Sequence, residues 1–150
     1  MGADLVSFVQ RGVAIVVATR DHDLRPEITR GWGPHVSADG ASVTLCVTAP
    51  QDSKTLSNLK GNGAIAATFS LPTTYRTVQI KGSVEDLCTP TPEQLARVEA
   101  HVAAFVDEVE QVGIPRNMAR RLVHPELVAV SFAVRELFDQ TPGPKAGSRL

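Results

Sequence analysis

Between residues 13 and 87 the chain passes through five extended segments separated by links of hairpin length, and this spacing limits the fold more tightly than any other feature. Residues 13–19 are a continuous apolar, β-branched run, the pattern of a strand buried on both faces. Residues 27–36 are extended but broken by Gly31-Trp32-Gly33-Pro34. Glycine inside a strand marks a bulge or the close approach of another backbone or a flat ligand, and Pro34 removes a ladder donor. Trp32, the sole tryptophan, also reads as an ordinary core residue. An Asp39-Gly40 turn precedes residues 42–48, where Val43, Leu45 and Val47 face one way and Thr44, Cys46 and Thr48 the other. Residues 64–69 are apolar. Residues 75–87 alternate again, with Val78, Ile80, Gly82 and Val84 opposite Thr77, Gln79, Lys81 and Ser83. Strands this short and this closely spaced predict a small antiparallel barrel, and Gly82 is placed to let its strand bend as the barrel closes.

The remaining segments flank that sheet. Residues 4–10 suit one or two helical turns, with Leu5, Phe8 and Val9 on one face. Thr91 as N-cap and Pro92 at the first helical position open a long amphipathic helix whose apolar positions run from Leu95 through Val98, Val102, Phe105 and Val109 to a stop at Gly113. This helix is expected to lie on the barrel. A short helix over 114–122 carries Arg116, Arg120 and Arg121, read as a solvated basic face rather than an anion site. Residues 127–138 return to strand character. The Pro/Gly-rich tail, 139–150, is expected to be disordered unless a partner subunit orders it.

Composition narrows the function classes. The 150 residues suit one domain with a sizeable core, and 15 basic against 16 acidic residues leave no net attraction for nucleic acid or a membrane surface. Cys46 and Cys88 have no CxxC spacing, and His22, His35, His101 and His124 are scattered, so no metal site is expected and both thiols are expected to be reduced. With no signal-like or membrane-spanning apolar run, the expected location is the cytoplasm.

One stretch carries chemistry. Residues 53–63 form a helix capped by Ser53, whose hydroxyl is placed to accept from the Leu56 N–H, with Leu56 and Leu59 on one face and Asn62-Gly63 as the stop. Ser53-Lys54-Thr55 puts free N–H groups, hydroxyls and an ammonium at a positive helix end, the elements of a phosphate site. A plain capped connector helix accounts for the same residues. His35 and Tyr75 are possible proton donors but read as structural, and no catalytic residue stands out.

Taken in order, the apolar strand, the Arg25-Pro26-x-x-x-Arg30 strand, the Asp-Gly hairpin, the strand ending in Thr48, the Ser-Lys-Thr helix, Asn62-Gly63 and the segment Arg76-Thr77-Val78-Gln79-Ile80-Lys81-Gly82 resemble the pyridoxamine 5′-phosphate oxidase-like FMN-binding split barrels. Phe138-Asp139-Gln140-Thr141-Pro142-Gly143-Pro144 is similar to the end of uncharacterised members of that group. The resemblance implies an α+β fold, a six-stranded antiparallel split β-barrel with flanking helices, forming a homodimer that holds FMN between its subunits. It implies FMN contacts from Ser53, Lys54, Thr55 and Arg30 (or Thr29, one register away) at the phosphate, and from Gly31, Trp32, Thr48, Thr77 and Gln79 near the ring. The implied activity is that of an FMN-dependent oxidoreductase with a small-molecule substrate. True pyridoxamine phosphate oxidases have a C-terminal segment with a tryptophan and an arginine that grips substrate, whereas this chain ends in Gly143-Pro144-Lys145 with no tryptophan after Trp32, which argues against that reaction. Relatives that use a deazaflavin or haem, or no cofactor, set the alternatives: a deazaflavin-dependent reductase, a haem-binding or haem-degrading protein with His35 or His124 as axial ligand, or a cofactor-free dimeric binding module.

Overall fold

The computed structural model describes residues 1–150, in the order α1 (Ala3–Val9), β1 (Ala14–Arg20), β2 (Pro26–Val36), β3 (Ser42–Thr48), α2 (Lys54–Gly61), β4 (Ala64–Ser70), β5 (Thr77–Cys88), α3 (Pro92–Gln111), α4 (Arg116–Arg120) and β6 (Leu127–Asp139). The strands close into an antiparallel barrel with the neighbour order β1-β2-β3-β6-β5-β4. This is the six-stranded α+β barrel that the sequence implies. No helix is long and apolar enough to cross a membrane.

Period-two alternation fills the barrel. Ile15, Val17, Leu45, Val47, Phe69 and Ile80 form one interior cluster, which Phe8 and Val9 of α1 and Leu56 and Leu59 of α2 join. Asn58 of α2 donates to the Thr19 hydroxyl at 3.1 Å, a buried polar tie between helix and barrel. At Gly82 an added Cβ would lie 2.3 Å from the Ala133 carbonyl oxygen, and the β5–β6 register shifts between Lys81 and Gly82, so the strand does bend there.

α3 begins with a full capping box, Thr91 and Gln94 exchanging side-chain and backbone bonds. It lies across β2 and β3, burying Val98, Phe105, Val106 and Val109 against Trp32, Cys46 and Ala129 in a second cluster outside the barrel. Arg116, Arg120 and Arg121 are exposed, as a solvated basic face requires, while α4 rests on its buried Ala119 and Arg116 reaches Asp107 at 2.7 Å and Glu110 at 2.8 Å on α3. Both cysteines are free, Cys46 buried and Cys88 exposed. They flank Ala129 from opposite sides, two strand spacings or roughly 10 Å apart, beyond disulfide reach.

Two expectations are corrected. β1 is buried on one face only: Ile15, Val17 and Thr19 are inside, whereas Ala14, Val16 and Ala18 are half-buried on the outer wall. The tail is ordered, and it lies on its own chain. β3 pairs with β6 only as far as Ala133, leaving the rest of that edge open. Residues 147–150 cover it through Asp139 N to Ser148 O at 2.9 Å, Gly147 N to Asp139 O at 2.7 Å and Leu150 N to Leu137 O at 2.9 Å. An uncovered strand edge is a template for unwanted pairing, which gives the tail its structural reason.

Candidate functional site

The outer wall of the barrel is covered by α3 over β2 and β3, and the rest is left open. Strand register sets two parallel rows of side chains on the open part. One runs Arg30, Val16, Thr68, Gln79, Phe138; the other runs Ile28, Ala18, Ala66, Lys81, Glu136. Small residues in the middle make the surface flat. Arg30 closes one end of the first row and Glu136 the opposite end of the second, while Phe138 and Ile28 close the other two.

Thr29 and Arg30 are neighbours on β2 and so point to opposite sides. The Thr29 hydroxyl donates to the Thr48 carbonyl at 2.6 Å, and both Thr29 and Arg30 line an outer cavity of about 320 Å³ together with Val16, Ile28, Thr48 and Leu122. Arg30 makes no ion pair, and the Thr48 hydroxyl oxygen is buried without a hydrogen-bond partner. A cation lacking a counter-ion beside an unsatisfied hydroxyl is an arrangement that an anionic, hydrogen-bonding ligand would complete.

At the head of α2, Ser53 caps the helix, its oxygen accepting from the Leu56 N–H at 3.2 Å. Lys54 is exposed and makes no ion pair. Thr55 is buried with Leu56, Asn58 and Leu59. The part of Ser53-Lys54-Thr55 left for a ligand is therefore the Lys54 ammonium and the backbone N–H groups of Lys54 and Thr55, which lack intrahelical acceptors.

On β5, Thr77 is internally satisfied: its hydroxyl donates to the Tyr75 carbonyl at 2.9 Å and lies 2.8 Å from the Ser70 hydroxyl. Its N–H donates to Thr141 at 3.1 Å, which joins the tail to this edge of the surface. Gln79 donates to the Thr68 hydroxyl at 3.1 Å and keeps its amide oxygen free. Arg30 and Gln79 share a row but stand three strand spacings apart, roughly 14 Å. The structure thus brings Arg30 together with Thr48 and places Thr77 and Gln79 across the face from them.

Gly31 and Trp32 do not fit the ring contact that the resemblance implies. Trp32 is 2% exposed, packed edge-on to Phe105 and His101 beneath α3. A Cβ on Gly31 would meet Ile15 at 2.8 Å inside the barrel, and one on Gly33, at φ +60, would meet the Val98 backbone at 2.8 Å. Close packing of strand and helix explains these glycines. Conversely, Val16, Ala18, Thr68, Lys81 and Phe138 line the open face without having been singled out. For Val16, Ala18 and Thr68 the signal was the alternation within residues 13–19 and 64–69, hidden because the outward residues there are also small or apolar.

The candidate haem ligands are both exposed: His35 on β2, and His124, whose Nδ1 accepts from the Glu126 N–H at 3.2 Å. No group of three or more His, Cys, Asp or Glu is gathered in a way that could hold a metal ion.

The sequence matches no family model and no curated protein. Among solved structures, HupZ of Group A Streptococcus is similar to this chain with a TM-score of 0.57 and 18% identity, covering 98% of this chain and 99% of its own. An F420 reductase is similar with a TM-score of 0.55 and 17% identity over 87% of this chain and 93% of its own. An FMN-binding protein from Syntrophomonas wolfei is similar with a TM-score of 0.55 and 11% identity over 90% and 85%. The fold is that of the split barrels to which the sequence motifs pointed.

Proposed function

We propose that the protein is an FMN-dependent oxidoreductase, acting on a small-molecule substrate as a homodimer with the flavin at the subunit interface. The observation that supports it best is the cavity of about 320 Å³ in which Arg30, without an ion pair, stands beside the unpartnered hydroxyl of Thr48. A phosphate there gains a guanidinium able to make two parallel contacts, and we assign to the same phosphate the Lys54 ammonium at the positive end of α2, which lies outside the lining of that cavity. Bound flavin supplies the redox chemistry; the residues around it hold and orient it. The Thr48 hydroxyl joins Arg30 at the phosphate, Ile28 and Leu122 keep water from that end, and the free amide oxygen of Gln79 serves as a hydrogen-bonding partner for the polar edge of the ring.

Spacing and exposure support the dimer. Thr77 and Gln79 are too far from Arg30 to serve the same end of one ligand on one chain, but a second copy laid on the open face carries its own pair into reach. Ile28 is 68% exposed and Leu122 41% exposed at the rim of the cavity, apolar area that such a copy would cover. A two-fold arrangement creates two equal sites.

The test is a fluorescence titration with FMN, riboflavin and a deazaflavin in parallel. FMN should bind at least about tenfold more tightly than riboflavin, since riboflavin lacks the phosphate that Arg30 and Lys54 would hold. Equal affinity for the two would remove the phosphate site. Preference for the deazaflavin would transfer the same surface to a deazaflavin-dependent reductase. Binding of none of the three would favour the cofactor-free module.

A further inference from the structure

A second cavity, of about 260 Å³, lies away from the open face, between α3 and the bulge of β2, lined by Gln10, Gly33, His35, Arg97 and His101 among others. His101 is 6% exposed, and its Nε2 lies 3.0 Å from the carbonyl oxygen of Val13. A carbonyl can only accept, so Nε2 carries the hydrogen and Nδ1 presents a bare lone pair. That Nδ1 is buried and has no partner. Burial lowers the imidazole pKa to about 4, which keeps the ring neutral and Nδ1 an acceptor at physiological pH.

Arg97 sits one helical turn before His101, on the same face of α3. Its Nε–H is also buried and unpartnered, it makes no ion pair, and no carboxylate lines the cavity. The Trp32 indole N–H is a third unsatisfied group, on a ring whose centroid is 6.0 Å from that of His101. One water would satisfy the Nδ1 lone pair but would leave the guanidinium without a counter-ion. A carboxylate meets Arg side-on through Nε–H and one Nη–H, which is the pair of donors left open here. An acceptor beside that position calls for a hydroxyl next to the carboxylate. Arg97 is half-exposed and unpaired, so this wall of the cavity borders solvent.

We propose that this cavity binds a small 2-hydroxycarboxylate, its carboxylate held side-on by Arg97 and its hydroxyl donating to Nδ1 of His101. No flavin is needed for this site, so its test is independent of the oxidoreductase reading.

Trp32 is the sole tryptophan and touches His101 edge-on, so its emission reports on the cavity directly. Flavin-free protein is titrated with L-lactate, propionate and inorganic phosphate while Trp32 emission and the indole N–H resonance are followed. Lactate should give a saturable change, propionate should bind at least about tenfold more weakly because it leaves Nδ1 unpaired, and Arg97→Gln should weaken lactate by about tenfold or more. No saturable response to lactate, an equal response to propionate or phosphate, or unchanged lactate affinity in Arg97→Gln would each overturn the assignment.

Discussion

The Thr29 hydroxyl donates to the Thr48 carbonyl at 2.6 Å, tying β2 to the end of β3 at the point where the chain leaves for α2. Both residues line the cavity beside Thr48, but this bond engages the Thr29 hydroxyl and leaves Arg30 as the unpaired polar side chain of the two. The two residues accordingly separate in their effects. Arg30→Gln should weaken FMN by about 1.5–3 kcal/mol with little change in melting temperature. Thr29→Val should instead cost about 1 kcal/mol of stability, a fall in Tm of roughly 2–4 °C. Paired fluorescence titrations and melting curves read both, and an Arg30→Gln protein that binds FMN normally would remove Arg30 from the site.

Lys54 is exposed and unpaired at the positive end of α2. Lys54→Ala should weaken FMN by about 1–2 kcal/mol and leave riboflavin binding as it was. Equal losses for the two ligands would show that Lys54 acts on the fold or the ring rather than on a phosphate.

His101 makes stability depend on pH. Its pKa is about 4 in the folded chain against an ordinary 6.5, because burial disfavours the imidazolium. The unfolded chain therefore binds the extra proton first as pH falls. Stability is full above about pH 6.5 and is lost toward pH 4, by about 2 kcal/mol between pH 7 and pH 5. Urea unfolding at the two pH values measures it, and His101→Gln should flatten the difference. An unaltered pH dependence in that variant would assign the effect to other groups.

The tail closes the free edge of β6 and reaches Thr77 through Thr141. Truncation after Asp139 should lower Tm by roughly 4–8 °C, equivalent to about 2 kcal/mol, and make the protein prone to self-association through the bared edge. Melting and sedimentation of the truncated chain check this. A truncated protein as stable and as well dispersed as the intact one would show the tail to be idle.

Strands were legible wherever one face is apolar and the other polar. Residues 42–48 and 75–87 alternate with polar partners, so their inward residues Leu45, Val47, Val78 and Ile80 could be named before the fold was known. Helix α3 was legible through Thr91, Pro92 and its apolar spacing. Residues 13–19 misled because Val16 and Ala18, although outside the barrel, are apolar too. Trp32 misled for a related reason. A tryptophan between two glycines suits a ligand contact and a helix packing against a bulge equally well, and only the position of α3, far along the chain, decides for the second. The tail was opaque because its partner is the edge of β6, whose openness depends on where β3 stops pairing. At the site, Ser53 and its cap were plain in the sequence. The burial of Thr55 and the outward turn of Arg30 required three-dimensional register.

The central claim is that the open face holds FMN, and the most direct measurement is the visible absorption spectrum of the protein after incubation with FMN in the dark and removal of unbound ligand. Flavin bands should be retained in proportion to the protein, with quenched fluorescence, and should be lost in Arg30→Gln. Flavin recovered entirely in the small-molecule fraction at micromolar protein would contradict it.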